Sequence, residues 1–241
     1  MPELPEVETI RRQLAEKIIG KKLLDREIVG VRRRAKLLII DFKNGDSLIF
    51  HLKLTGQLIL NGEPSRYTRK VFNFKDGSCL VFNDLRKFGW HKIVKKSELI
   101  EKNFGPEPLE MDFKTFEDIL SKKPKIRIKV LLMDQKMIAG IGNIYSDEVL
   151  FSSGVRPTRL TKSLKEPEKK KIFQNIKKIL RKAIKYGGSS VEHYLDACGK
   201  KGNYVRYHKA YQHKTCSVCK GNMVKMKIVG RSAHFCPICQ K

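Results

Sequence analysis

The sequence predicts an α+β protein of two domains with a short tail. Three observations predict it: helical spacing at the start of the chain, strand-like runs with hairpin turns up to about residue 104, and helical texture afterwards that ends in paired cysteines. In the first segment Val7, Ile10, Leu14 and Ile18 recur at steps of three and four, and Gly20 ends the pattern. Strand signals follow. LLIIDF (37–42) and SLIFHL (47–52) flank Asn44-Gly45, and KVFNF (70–74) and SCLVF (78–82) flank Asp76-Gly77. Asn-Gly and Asp-Gly between apolar runs favour hairpins because these residues tolerate positive φ. GPEPLEMDF (105–113) has the composition of a boundary. Beyond it come helical stretches, including a long basic helix whose apolar stripe is Ile172, Phe173, Ile176, Ile179, Leu180 and Ala183, stopped by Gly187-Gly188. The expected division is 1–104, 112–205 and 206–241.

The charge is as informative as the pattern. There are 51 Lys plus Arg against 25 Asp plus Glu, a formal net charge of +26. A polyanion is therefore the expected partner, and nucleic acid comes before a membrane surface or an acidic protein. With 41% hydrophobic residues the chain can build a core, which excludes wholesale disorder. No apolar run approaches the ~18–20 residues of a membrane span. The start, MPELPEVETI, lacks the basic-then-apolar pattern of a secretory signal, so an intracellular location is expected.

Cys216, Cys219, Cys236 and Cys239 form two C-x-x-C pairs. This is the spacing of a four-thiolate zinc site, in which each tight turn supplies two ligands and the intervening hairpin brings the pairs together. Disulfides fit poorly with a chain kept in a reducing compartment. The segment from about residue 206 is too short for its own core, so one structural Zn2+ is expected to hold it together. Cys79 reads as a small buried strand residue, and Cys198 receives no role.

Three further features carry chemistry. The first is the amino terminus. Methionine before a small residue such as Pro2 is commonly removed, which exposes a secondary amine. An α-amino group ionises near 7.7–8.0, so part of it is nucleophilic at neutral pH. Such an amine attacking a sugar C1′ forms an iminium directly, and Glu3 or Glu6 can serve as general acid–base beside it. Pro and Glu are equally the ordinary residues of a helix's first turn. The second feature is IAGIGNIYSDEVLF (138–151), where glycine turns lead into Asn143 and a helix. Backbone N–H groups there can hold a phosphate, or Asn143 can be a plain N-cap. The third is Arg231, expected at the tip of the cysteine hairpin, where it is either a bidentate phosphate contact or solvated surface.

Together PELPEVET at the start, RRAK before the first hairpin, GIGNIY with its helix, and a terminal GRSAHFCPICQK closely resemble the formamidopyrimidine-DNA glycosylase family, over essentially the whole chain and in the family's order. PELPEVET points to the oxidised-purine branch rather than the endonuclease VIII branch. The resemblance implies a fold of an N-terminal helix with an antiparallel β-sandwich, a helix–two-turn–helix domain and a C-terminal zinc β-hairpin. It implies Pro2 as the nucleophile at C1′, Glu3 as general acid–base and Glu6 in support. Lys36 would serve β-elimination and a phosphate, and Arg231 would serve phosphate binding and δ-elimination. Lys125, Lys129 and Asn143 match DNA contacts of the helical unit. NDLRKFG (83–89) resembles a void-filling loop in which Arg86 faces the orphaned base and Phe88 wedges into the stack. Such a wedge offsets part of the cost of unstacking a flipped nucleotide.

The chain departs from the family pattern in places. Leu54 stands where purine-acting members usually carry Met in the void-filling trio, and Tyr67 stands where a DNA-binding His is expected. The stretch between Gly20 and Arg32 is short, which predicts that a helix is missing. The implied activity is a bifunctional DNA glycosylase/AP lyase, acting as a cytoplasmic monomer on double-stranded DNA that contains oxidised bases. Its rivals are a pyrimidine-preferring lyase and a non-catalytic zinc-containing nucleic-acid-binding protein.

Overall fold

The computed structural model describes residues 1–95 and 97–241. Its α1 (Leu4–Ile18) buries Leu4, Val7, Ile10, Leu14 and Ile18, the face read from the spacing. Pro5 sits in the first turn, where a missing N–H costs nothing. Gly20, at φ +85°, then turns the chain out of the helix. Between Gly20 and Arg32 the chain forms strands and no helix. The chain runs straight into β1 (Lys22–Leu23) and β2 (Arg26–Arg34), turning on Leu24 and Asp25 at φ 51° and 59°.

Both hairpins form where the Asn-Gly and Asp-Gly signals put them. β3 (Leu37–Phe42) pairs with β4 (Ser47–His51), and β6 (Thr68–Asn73) with β7 (Cys79–Asp84); Gly45 and Gly77 take φ +86° and +84°. With β5 (Gly56–Leu60) and β8 (Trp90–Val94) these strands make two antiparallel sheets, ordered β1-β2-β3-β4-β8 and β5-β7-β6. The sheets and α1 share one core. At its seam Phe50 of β4 meets Phe72 and Phe82 of the smaller sheet edge-on, with ring centroids 5.5 and 5.8 Å apart. This is the sandwich the resemblance implies.

The chain forms two compact units that are not simply consecutive. Residues 1–103 and 183–205 form one, and residues 104–182 and 206–241 the other. Tyr194 and Ala197 belong to the sandwich core, which explains why the second piece of the first unit groups with it. The short α2 (Glu98–Glu101) follows β8.

In the second unit α3 (Phe113–Lys122) is capped by Asp112, whose carboxylate accepts the Thr115 N–H at 2.8 Å. After α4 (Ile128–Met133), α5 (Asn143–Ser153) is buried almost all round and ends on Gly154 in the left-handed region. Its polar residues therefore need internal partners. The long α6 (Glu166–Lys185), of which residues 166–182 belong to this unit, buries Ile172, Ile176 and Leu180, with Phe173 packed on Phe113 and Phe116. The tail is a hairpin of β9 (Val224–Ile228) and β10 (Arg231–Phe235). Arg231 is not at the turn itself. Val229 and Gly230 make the turn with positive φ, and Arg231 opens β10 opposite Ile228. Among the described residues no helix is long and apolar enough to cross a membrane.

Candidate functional site

The first unit holds the amino-terminal group of candidates. Pro2 and Glu3 are buried, whereas Met1 is exposed. Glu3 is the N-cap of α1, in extended conformation, and forms a capping box with Glu6. The Glu3 N–H donates to Glu6 Oε2 at 2.8 Å, and the Ser189 N–H donates to Glu6 Oε1 at 2.7 Å. Glu6 thus ties the start of the chain to a loop 183 residues away. The loop comes this close because residue 188 is glycine. At φ +80°, a Cβ on Gly188 would stand 2.7 Å from Glu6 Oε1. The Tyr194 hydroxyl donates to the Glu6 carbonyl at 3.3 Å, and burial, then the charges of Glu6 and Asp196, push that phenol well above its usual range.

Lys36 follows a turn on Ala35, which takes φ 54°, and is itself buried. Of the RRAK motif, Arg33 holds the turn by donating to the Ala35 carbonyl at 2.9 Å and by pairing with Glu8. Burial raises the Glu8 carboxyl, but hydrogen bonds from Arg11 and Arg12 prevail and hold it below the usual range. Burial, aided by the charges of Lys53 and Lys36, lowers His51 to about 3, so this ring is neutral. Its Nδ1 accepts the Lys53 N–H at 3.0 Å.

The void-filling candidates project from two neighbouring segments of the same unit. Leu54 lies in the turn between β4 and β5, while Arg86 and Phe88 lie in the loop between β7 and β8. Phe88 is 55% exposed, with the Arg86 guanidinium 5.3 Å from its ring centroid. Beneath them Thr55 and Asp84, which sequence reasoning passed over, are buried and bonded to each other. Tyr67 is partly exposed under the Arg66 guanidinium, and its carbonyl accepts the Asp84 N–H at 2.9 Å.

In the second unit the candidates separate into surface and interior. Lys125 is exposed between α3 and α4, and Arg231 is exposed on β10. Lys129 is not a surface contact. It is 1% exposed, with Nζ 2.5 Å from Asp147 Oδ1, so its charge is met by a buried carboxylate. The other Asp147 oxygen accepts the His234 N–H at 3.1 Å and lies 2.9 Å from His234 Nδ1, joining α4, α5 and β10. Burial pushes the neighbouring Glu148 carboxyl up, against the N–H groups of Tyr211, Ala210 and Lys209 that it accepts. Asn143 is the first residue inside α5, after the N-cap Gly142. Its Nδ2 lies 3.1 Å from Ser232 Oγ, and its buried Oδ1 has no hydrogen-bond partner.

The four tail cysteines converge, with sulfurs all within 4.8 Å of one another. The Cys216–Cys239 and Cys219–Cys236 separations, 3.8 and 3.5 Å, are too long for disulfides. They suit a tetrahedral ion, since four sulfurs about 2.3 Å from a centre stand about 3.8 Å apart. The Val218 and Cys239 N–H groups donate to Cys216 and Cys236 at 3.4 Å, as thiolate ligands require. The Cys239 thiol is pushed up to about 12 by its hydrogen bond with Cys219 and by burial, whereas Cys216 is lowered to about 7; a bound cation would favour the deprotonated ligands.

Comparison with known proteins covers both units. Residues 21–91 match the model of the formamidopyrimidine-DNA glycosylase N-terminal domain, and residues 104–194 match that of its H2TH domain. The formamidopyrimidine-DNA glycosylase of Carboxydothermus hydrogenoformans is 39% identical, with 100% of both chains covered. The Lactococcus lactis Fpg, in a complex with DNA containing an abasic site, shares 33% identity and a TM-score of 0.91 over 99% of each chain. The same Lactococcus protein in a complex with DNA containing N7-benzyl-Fapy-dG gives 34%, a TM-score of 0.90 and full coverage of both chains.

Proposed function

Because this chain belongs to the formamidopyrimidine-DNA glycosylase family, we infer that it excises oxidised purines from DNA in base excision repair and then cleaves the strand at the abasic site. The observation that carries the reading is the buried Pro2–Glu3 pair, fixed by the bonds of Glu6 at the head of α1. Once Met1 is removed, the Pro2 nitrogen attacks C1′ of the everted nucleoside. The glycosidic electron pair leaves with the base, which takes the amine proton. Glu3 in its acid form protonates the ring oxygen as the C1′–O bond opens, leaving an iminium between Pro2 and the sugar. Loss of a C2′ proton expels the 3′ phosphate, and loss of a C4′ proton expels the 5′ phosphate. Hydrolysis then frees Pro2. Lys36 stands as the group for the first elimination and Arg231 for the second.

On this reading residues 1–104 carry the chemistry, 112–205 the helix–two-turn–helix element and 206–241 the zinc hairpin. One Zn2+ held by Cys216, Cys219, Cys236 and Cys239 fixes the hairpin that presents Arg231. Lys125 and Arg231 bind phosphates. Asn143, the first residue of α5, is a further phosphate contact on this reading. Arg86, Phe88 and Leu54 fill the space left by the flipped nucleotide, and Tyr67 borders the duplex. The protein works as a monomer on chromosomal DNA in the cytoplasm.

Borohydride trapping tests the chemistry. Protein shown by mass spectrometry to lack Met1 gives a covalent adduct with 8-oxoguanine duplex, and Pro2→Gly does not. Absence of the adduct in the wild-type protein sinks the mechanism. Faster nicking of thymine glycol than of 8-oxoguanine duplex would move the activity to pyrimidines. Tight binding that is indifferent to lesions and to Pro2→Gly would make the protein a non-catalytic binder.

A further inference from the structure

We propose that Thr55 and Asp84 are positioning residues that clamp the Leu54 turn and the Arg86–Phe88 loop into one wedge, so that three side chains enter the DNA stack as a preformed unit. The inference rests on the glycosylase reading above and concerns residues that touch no substrate.

The bonding is closed and buried. Asp84 ends β7, paired in register with Gly56, and is 1% exposed. Its Oδ1 accepts the Thr55 hydroxyl at 2.5 Å and the Arg86 N–H at 3.2 Å, and its Oδ2 accepts the Gly89 N–H at 2.6 Å. One carboxylate therefore holds the entry and the exit of the loop. Thr55 Oγ1, which donates its hydrogen bond to Asp84, accepts the Arg86 N–H at 2.9 Å. The hydroxyl thus joins the turn that carries Leu54 to the loop that carries Arg86 and Phe88.

Two glycines make this approach possible. A Cβ on Gly89 would stand 2.9 Å from Asp84 Oδ2 and from Phe82 Cζ, and one on Gly56 would stand 2.5 Å from the Leu52 carbonyl. Above the clamp the loop has little packing of its own, since Leu85 and Phe88 are exposed at 42% and 55%. Charge-assisted hydrogen bonds, not burial, must then define the loop. A loop and a turn that moved independently would have to be ordered during base eversion, and that ordering would oppose the step.

The test compares Thr55→Val, which removes the hydroxyl at nearly constant shape, with Thr55→Ser, which keeps it. Each variant is assayed in single turnover on an 8-oxoguanine:C duplex and on a single-stranded abasic oligonucleotide, which has no stack to wedge. Thr55→Val should lower the duplex-to-single-strand rate ratio about tenfold, the scale expected when a few side chains must be ordered on binding. Thr55→Ser should restore the ratio. Because both rates come from one preparation, any unfolded fraction cancels. A Thr55→Val ratio equal to the wild type, whether both rates fall or neither does, overturns the clamp. A wild-type protein that cuts neither substrate overturns the glycosylase reading itself, and the clamp with it.

Discussion

Glu6→Gln tests whether the buried carboxylate behind Pro2 holds the amino terminus or moves protons. Both Glu6 oxygens accept backbone N–H groups, from Glu3 at 2.8 Å and from Ser189 at 2.7 Å. Gln has nearly the same shape but only one acceptor oxygen, so its amide NH2 must face one of those N–H donors. A hydrogen bond to a charged group contributes about 1.5–3 kcal/mol, and a buried donor left unmade costs a similar amount. The expected loss is about 2–3 kcal/mol, or roughly 4–12 °C in the melting of this unit at 2–4 °C per kcal/mol. Circular dichroism melts measure it directly. The same variant should slow base release, because the amine at Pro2 loses its fixed position, while its pH–rate profile keeps the wild-type shape. A melting temperature within 1 °C of wild type, or a limb missing from the pH profile, would refute the holding role.

Four other outcomes follow from the same geometry. Lys125→Ala and Arg231→Ala, on exposed cations, should each lower the slope of log K against log salt for DNA binding by about 1. Lys129→Met should leave that slope unchanged and instead cost about 3–5 kcal/mol by stranding the Asp147 charge, as urea denaturation would show. The pH dependence of stability should come partly from His51 and His208, lowered by burial from 6.5 to about 3 and about 4. Between these values and 6.5 the unfolded chain binds protons that the native rings do not, so stability is lost as pH falls below about 6.5. His208→Gln should remove about 1.4 kcal/mol per pH unit of that loss, and an unchanged urea midpoint series from pH 7 to 4.5 would contradict it. Metal analysis should find about one zinc per chain, abolished by Cys236→Ser. Its removal by a chelator should unfold the hairpin and weaken DNA binding; unaltered binding by the metal-free protein would show that the hairpin stands without the ion.

Local signals carried most of the fold. Asn44-Gly45 and Asp76-Gly77 predict their hairpins because the needed positive φ is a property of the residues at the turn. The cysteine pairs predict their convergence because two tight turns and one hairpin fix it. What stayed hidden depends on partners far apart in the chain. Nothing near Ser189 announces that its N–H belongs to Glu6, and Thr55 in HLKLTG looks like any turn residue. The burial of Lys129 was hidden for a related reason. In a chain of 51 Lys plus Arg a lysine reads as surface, and only the fold puts Asp147 against it. A signal was present in the Asp147-Glu148 pair, which lies in a helix otherwise rich in apolar residues and so needed donors from elsewhere.

The acidic residues then explain how a protein with a net charge of +26 aims its cations. Glu6 takes the Glu3 and Ser189 N–H groups, Asp84 those of Arg86 and Gly89, and Glu148 those of Lys209, Ala210 and Tyr211. Asp147 takes Lys129 and His234. Each is a buried carboxylate whose desolvation is offset by donors that hold a loop or a distant segment in place, so removing it frees that segment rather than merely changing the charge. Lys125 and Arg231, by contrast, stand in solvent, where phosphates can reach them and salt can screen them. Neutralising an exposed cation should therefore change how strongly the protein holds any DNA. Neutralising a buried acid should change how well it recognises and processes a damaged nucleotide, at nearly constant affinity for undamaged duplex. Two such dissimilar effects from single-charge substitutions are what separates a positioned site from a generally basic surface.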